Sequence, residues 1–290
     1  MYQVELTESY CPAQADEVVL EVTVGDALRA AAYDRPDTFA LIEINASGER
    51  GAALSYQELL NRCEVLARAL TSRFSKGERV VVWAPNVAEW LVMEYACALA
   101  GVVLVPANPS FRAKELRYVL EQSGAVGLFL VKDYRGNPMG VIADEAVKGL
   151  NIREVTYLSD QDAMLRGGDR ATALPRVEPS DPFQIQYTSG TTGFPKGAVS
   201  THRAITNTLM AFGLRALVQA LRFPPEPRPD ASPPCFILAV PLFHVTGCIA
   251  VMLSCFASGA RLVMMYKWSP ERALELIERE HITNFVGVPT

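Results

Sequence analysis

The stretch Gln186-Tyr187-Thr188-Ser189-Gly190-Thr191-Thr192-Gly193-Phe194-Pro195-Lys196-Gly197 decides how the rest of the chain is read. Gly190, Gly193 and Gly197 free the backbone for positive φ and for close approach to a ligand. Thr188, Ser189, Thr191 and Thr192 supply hydroxyls beside exposed amides. Lys196 adds a cation suited to a cluster of anionic oxygens. Phe183 to Tyr187 reads as a short apolar strand ahead of the run, and Thr201 to Leu221 as a helix after it. A strand, a glycine- and hydroxyl-rich turn with a lysine, and then a helix is a way to hold a polyphosphate. An ordinary flexible glycine loop also accounts for the glycines and hydroxyls. The lysine behind a fixed proline, with a strand and a helix at either side, favours the phosphate cradle. A Walker A loop is disfavoured, because that pattern needs Gly before the Lys and Ser/Thr after it. Those places hold Pro195 and Gly197.

Working outward, strands and helices alternate along the chain. Val24 to Asp34 reads as a helix and Phe39 to Ile44 as a strand, with a turn over Asn45 to Gly51. Ser55 and Glu58 form a capping box for a helix whose apolar face is Leu59, Cys63, Leu66, Leu70 and Phe74. Arg79 to Ala84 is a valine-rich strand. Asn86, with Glu89 three residues on, is read as the cap of a helix closing at Gly101. Further strands are expected at Val102 to Pro106, Val126 to Val131 and Glu154 to Leu158, with helices at Ala113 to Gln122 and Gly140 to Lys148. Beyond the quoted stretch, strands are expected at Cys235 to Val240, Arg261 to Met265 and Thr283 to Val288. Helices are expected at Thr246 to Phe256 and from Ser269-Pro270 to Glu280. Phe223 to Pro234 is proline-dense and reads as a mobile surface loop. The alternation predicts an α/β fold of doubly wound layers. The polar connector Asp160 to Asp181 suggests two α/β subdomains, 1–175 and 176–290, the second carrying the phosphate loop.

Composition limits the function classes. The 290 residues are 50% hydrophobic and 20% charged, with a net charge of −5. That suits a soluble globular chain with a large core. No basic block points to nucleic acid, and the acidic balance argues against an anionic membrane surface. The six cysteines include no C-x-x-C pair, and the three histidines are too few for a zinc site. The thiols read as small buried residues of a reducing, cytoplasmic compartment. The N-terminus carries no signal or transit pattern. Phe236 to Ser258 is uncharged and long enough to span a membrane. Pro241, His244 and Gly247 interrupt it, so a buried strand, turn and helix explain it better and no transmembrane segment is expected.

Thr188 to Gly197 resembles the signature of the AMP-forming, adenylate-making superfamily, Ser/Thr-Ser/Thr-Gly-Ser/Thr-Thr/Ser-Gly-x-Pro-Lys-Gly. This superfamily comprises acyl- and aryl-CoA synthetases, luciferases and peptide-synthetase adenylation domains. A second match follows at Pro241-Leu242-Phe243-His244-Val245-Thr246-Gly247. The resemblance implies an enzyme of fatty acid metabolism, an ATP-dependent acyl-CoA synthetase. It would join a small carboxylic acid to CoA through an acyl-adenylate, with ATP and Mg²⁺. It implies that Thr188, Ser189, Gly190, Thr191, Thr192, Gly193 and Lys196 hold the nucleotide phosphates, and that Thr188 is a metal ligand. It places His244 in the acyl pocket beside the carboxylate, as a catalytic and substrate-binding residue, where Gly247 lets the chain pass close to the acyl group. The alternative for His244 is a hydrogen-bonded histidine in a strand-to-helix turn; the motif Pro241 to Gly247 around it favours the pocket.

His202 and Arg203 read as structural, Lys267-Trp268 as a solvated turn with a packing aromatic, and Trp83 and Trp90 as core. Family members are roughly twice this long, and their adenine, ribose and catalytic-lysine motifs have no counterpart here. The expectation is therefore a truncated piece or fragmentary gene product. It would be inactive alone and prone to self-association, as a homo-oligomer, through surface the remainder would cover. The alternatives are an amino-acid or luciferin-type adenylation enzyme, or a non-catalytic binding fragment.

Overall fold

A computed structural model describes residues 19–169, 171–188, 194–224 and 233–287. The chain opens with α1 (Val24–Asp34), β1 (Phe39–Ile44), β2 (Arg50–Ser55) and α2 (Tyr56–Thr71). There follow β3 (Arg79–Trp83), α3 (Ala88–Ala100), β4 (Val103–Ala107), α4 (Ala113–Ser123), β5 (Gly127–Leu130), α5 (Met139–Ala146), β6 (Glu154–Tyr157) and α6 (Gln161–Leu165). Then come β7 (Pro182–Thr188), β8 (Lys196–Thr201), α7 (His202–Arg222), β9 (Cys235–Leu238) and a π-helix over Thr246–Leu253 that runs into α8 (Ser254–Ala257). β10 (Arg261–Met265), α9 (Pro270–Arg279) and β11 (Asn284–Phe285) complete it.

The strands form two sheets. One is six-stranded in the order β6-β5-β3-β4-β7-β8, the other five-stranded in the order β11-β9-β10-β1-β2. Each is parallel except for its antiparallel edge pair, β7 with β8 and β1 with β2. Parallel strands buried on both faces read as continuous apolar runs, and β3 is such a run. Its Val80 and Val82 join a core shared with α1, α2 and α3, while Val81 and Trp83 face α4 and α5. The same shared core takes Leu41, Leu262 and Met264 from the second sheet. The far face of that sheet packs Ile42, Ile237 and Val263 against Ala273 and Leu276 of α9. The molecule is thus a stack of helix, sheet, helix, sheet, helix, with α1, α2, α3 and α8 between the sheets.

Local chemistry explains the element ends. The capping box of α2 is present, with the Glu58 N–H donating to Ser55 Oγ at 3.2 Å and the Ser55 N–H to Glu58 Oε2 at 2.8 Å. Gly101 and Gly124 end α3 and α4 at φ of 68° and 62°, the left-handed conformation that only glycine adopts without strain.

Sheet membership does not follow chain order: β1 and β2 belong with β9, β10 and β11, while β7 and β8 complete the first sheet. Alternation along the sequence shows that a strand exists, but not which sheet it joins. Two expectations need correcting. The quoted stretch does not run from strand straight into helix. A second strand, β8, follows it, pairing Thr188 with Lys196 and Tyr187 with Gly197. The helix N-terminus at His202 therefore lies a whole strand away from the loop, and its dipole falls off within one turn. Lastly, Asn86 does not cap α3, whose N-cap is Val87. Its side chain does something else, described below. The proline-dense segment falls largely on 225–232, outside the described residues.

The uncharged run at 236–258 is a buried strand, a turn and buried helix, as expected. Among the described residues one helix, α7, is long and apolar enough to cross a membrane by length and composition. Its first turns pack Ile205 and Leu209 into the shared core, while Leu214, Leu217 and Leu221 are exposed.

Candidate active site

Of the nucleotide-binding residues expected from the sequence, Ser189, Gly190, Thr191, Thr192 and Gly193 lie outside the described residues. Thr188 and Lys196 are described. They end β7 and begin β8 as exposed register partners, so a hydroxyl and an ammonium stand side by side at the mouth of one hairpin. Gly197 has a local reason to be glycine. A Cβ there would meet Ile185 Cγ2 at 2.8 Å and the Tyr187 ring at 3.3 Å. Its bareness makes room for side chains of the paired strand.

The second motif folds into a tight turn that feeds the π-helix. The His244 N–H donates to the Pro241 carbonyl at 3.2 Å, and the Gly247 N–H donates to the His244 carbonyl at 2.8 Å. A Cβ on Gly247 would sit 2.1 Å from the Pro241 oxygen, so glycine is required by the turn itself. His244 is exposed, and its Nδ1 accepts the Thr246 N–H at 3.2 Å and lies 3.1 Å from Thr246 Oγ1. An accepting Nδ1 places the ring proton of the neutral imidazole on Nε2, which is left to donate outward. The π-helix that follows is a rare, wide helix of the kind found at functional sites.

The structure brings the two motifs together. Gln186, two residues before Thr188, donates from Nε2 to Cys248 Sγ at 3.2 Å, and Cys248 directly follows Gly247. Gln184 approaches the same sulfur at 3.7 Å. Cys248 is fully buried, and burial holds its thiol well above the usual range, with the charge of Glu94 adding to this once that group ionises. It is a packing and hydrogen-bonding atom, not a nucleophile. Glu94 on α3 is itself buried, with neither carboxyl oxygen hydrogen-bonded. Desolvation pushes its pKa up to about 8, so it is neutral at physiological pH.

Beside the second motif a cleft of about 770 Å³ opens at the carboxyl ends of β3, β4, β9, β10 and β11; Thr188, Lys196 and His244 are not among its lining residues. Ligands of open α/β sheets collect at that edge. Asn86 closes its floor, donating from Nδ2 to the Val240 carbonyl at 3.1 Å and the Met265 carbonyl at 3.2 Å. Phe243 of the second motif lines the cleft, as do Arg135, Tyr266, Lys267 and Trp268. The Lys267-Trp268 turn is therefore part of the cleft wall, with Trp268 stacked on Phe285 at 5.7 Å. The sequence signal for this was weak, because neither residue belongs to a periodic element. His202 is structural, as expected: it is buried, its Nδ1 accepts the Val24 N–H at 3.2 Å, and its ring leans on Phe183. Arg203 pairs with Glu21 at 2.7 Å.

No group of three or more His, Cys, Asp or Glu among the described residues could hold a metal ion. The Thr188 hydroxyl is a hard oxygen donor on an exposed strand end. It suits Mg²⁺, which keeps several waters and takes its remaining ligands from phosphate oxygens. The donor set thus fits a metal that arrives with a nucleotide.

The model of the AMP-binding enzyme family matches residues 28–290, nearly the whole chain. The chain belongs to the AMP-binding enzyme family. It is 31% identical over 298 residues to the mitochondrial medium-chain acyl-CoA ligase ACSF2 of Homo sapiens, covering 92% of this chain and 46% of that protein. It is 28% identical over 302 residues to the putative acyl-CoA synthetase YngI of Bacillus subtilis, covering 94% of this chain and 52% of that one. Among solved structures it resembles the N-terminal domain of FACL13 from Mycobacterium tuberculosis, with a TM-score of 0.74 at 21% identity, over 91% of this chain and 62% of that one. It also resembles the O-succinylbenzoate coenzyme A synthetase of Bacillus subtilis, in complex with ATP and magnesium ion, with a TM-score of 0.71 at 21% identity, over 92% and 63% of the two chains. These likenesses establish the fold as that of the N-terminal domain of AMP-forming ligases. The chain spans about half the length of the curated relatives it matches.

Proposed function

We propose that this chain supplies the phosphate-holding and acid-holding half of an ATP-dependent acyl-CoA ligase. The observation that carries the reading is the Gln186–Cys248 contact, which fastens the Thr188–Lys196 hairpin to the His244 turn. A nucleotide tail and a carboxylate would have to meet at such a junction. The two relatives named above are described as an acyl-CoA ligase and a putative acyl-CoA synthetase, which points to a fatty or aryl acid and to CoA as acceptor.

In the first step a carboxylate oxygen attacks the α-phosphorus of ATP. The bond to the β-phosphate oxygen breaks and pyrophosphate leaves. Both reactants are anions, so the site must offset their repulsion and hold them in line. Lys196 would neutralise charge on the β- and γ-phosphates and the departing pyrophosphate, with the hydroxyls and amides of Thr188 to Gly193 around them. His244 would orient the acid's carboxylate through Nε2–H. Mg²⁺, held through Thr188 and phosphate oxygens, would neutralise the phosphate charge further. In the second step the CoA sulfur attacks the acyl carbonyl and AMP leaves. The 290 residues alone carry no counterpart of the family's adenine and catalytic-lysine motifs, so alone they would not complete the cycle. The buried free thiols fit a reducing compartment, consistent with a cytoplasmic location.

Exchange of labelled pyrophosphate into ATP tests this, driven by a panel of fatty, aryl and amino acids. It is run on this chain and on the longest natural product of its gene. Fatty or aryl acids should drive exchange in the longer product and none should do so in the chain alone. Exchange driven by amino acids would replace the ligase reading with an amino-acid adenylation enzyme. If the chain is the whole product and drives no exchange, it is a non-catalytic binding module.

A further inference from the structure

Tyr118 stands on α4, a helix that contributes no residue to either motif or to the cleft. Its ring stacks on Phe194 with centroids 5.4 Å apart and planes at 24°. It meets the Tyr187 ring edge-on at 6.4 Å and 79°. Its hydroxyl donates to the Pro195 carbonyl oxygen at 2.8 Å. One turn further along the helix, Gln122 Oε1 accepts the Tyr187 hydroxyl proton. One face of α4 therefore grips both arms of the hairpin: the residue just before Thr188 and the two residues just before Lys196.

Tyr118 and Tyr187 border the core between β3, α4 and α5, but the outer half of the grip lies beyond it. Phe194 is 77% exposed, so its stack on Tyr118 hides little apolar surface from water. What the contact does is fix geometry. Proline locks the φ angle of residue 195. The Tyr118 hydroxyl then holds the carbonyl of the same residue, and the planar peptide transmits that orientation to the nitrogen of Lys196. β8 is an edge strand, so beyond the pairing of Lys196 with Thr188 on one side, nothing in the sheet holds its first residue from the other.

We propose that Tyr118 is a positioning residue for Lys196: acting through Pro195, it aims the lysine at the phosphate tail of a nucleoside triphosphate. Tyr118 itself touches no substrate. The inference rests on the reading of Lys196 as a phosphate ligand, and its test separates the two.

Two variants of the 290-residue chain are compared with the wild type. Tyr118→Phe keeps the ring stack and removes the hydroxyl, while Tyr118→Leu removes both. Two quantities are measured: the dissociation constant for ATP with Mg²⁺, and amide hydrogen exchange over Lys196 to Val199 against that over β3, β4 and β5. Tyr118→Leu should weaken ATP by about tenfold and Tyr118→Phe by a few-fold, the size of one lost oriented contact to a charged group. Exchange at the start of β8 should quicken in both, in the same order, while the central strands stay protected. Wild-type affinity and unchanged β8 exchange in both variants would overturn the proposal. So would exchange that quickens equally throughout the sheet, since that marks a merely structural role. If the wild-type chain fails to bind ATP, the phosphate reading of Lys196 falls. The β8 exchange then decides alone whether Tyr118 holds Lys196, and unchanged exchange overturns it.

Discussion

The side-chain oxygen of Asn86 accepts the backbone N–H of Leu242 across 2.8 Å, joining the end of β3 in one sheet to the end of β9 in the other. Its amide nitrogen meanwhile serves the carbonyls of Val240 and Met265. One buried side chain thus satisfies three backbone groups at the base of the cleft. Asn86→Ala leaves all three without partners. At ~1–3 kcal/mol for an unsatisfied buried group, a loss of at least ~2 kcal/mol is expected in urea unfolding. Asn86→Asp keeps the acceptor for Leu242 but turns an acidic oxygen toward two carbonyls. It should be no better than alanine at neutral pH.

Gly247→Ala should be among the most damaging small substitutions in the chain. The added methyl would lie 2.1 Å from the Pro241 oxygen, and the atom it strikes is backbone, which cannot swing aside. Overpacking costs ~1–3 kcal/mol or more, so the melting temperature should drop by several degrees. The same change at Gly213, where a Cβ meets nothing within 4 Å, should be tolerated or slightly stabilising.

Glu94 gives the fold a pH dependence of known sign. Burial raises its pKa from 4.5 to about 8 in the folded chain. The unfolded chain therefore releases the proton first, and above the unfolded value the folded state holds more protons. Stability should fall as pH rises from about 4.5 towards about 8, by up to ~1.4 kcal/mol per unit, and level off beyond. Glu94→Gln cannot ionise and should flatten this slope. Urea midpoints at about pH 5 and about pH 8 check it: the two proteins should differ little at the lower pH, and the variant should be the more stable at the higher.

The acid limb belongs to His202. Burial lowers its pKa from 6.5 to about 4, and neutral Nδ1 accepts the Val24 N–H. Its contribution is complete above 6.5 and is lost as pH falls towards 4. His202→Gln should cost ~1 kcal/mol at neutral pH and lose this acid sensitivity, as followed by circular dichroism through a pH titration.

What could be read from the sequence divides along physical lines. The buried strands and the helices between them were legible, because Val80 to Trp83 is apolar throughout and Gly101 and Gly124 punctuate two helices. Trp83 and Trp90 were legible as core for the same reason, and both are fully buried. β8 was not legible. It is a paired edge strand whose Val199 is 61% exposed, so it carries no buried pattern to distinguish it from the tail of a loop. Sheet membership was hidden as well, since β1 pairs Leu41 with Leu262, far along the chain. At the site, the two motifs stood out as local runs. The residues that join and support them did not: Gln186 finds Cys248 across 62 positions, and Tyr118 finds Pro195 across 77. Asn86 misled, because a polar residue ahead of a helix has the pattern of a cap whether or not it caps.

The central proposal is that Lys196 binds the tail of ATP. A calorimetric titration of the chain with ATP and Mg²⁺, beside the same titration of Lys196→Ala, addresses it most directly. Lys196 is exposed on an edge strand, so the substitution should leave the circular dichroism spectrum and melting temperature unchanged. Saturable binding by the wild type and affinity at least ~10-fold weaker in the variant, the loss of one charge-assisted contact, are expected. Identical isotherms for two equally folded proteins would contradict the proposal.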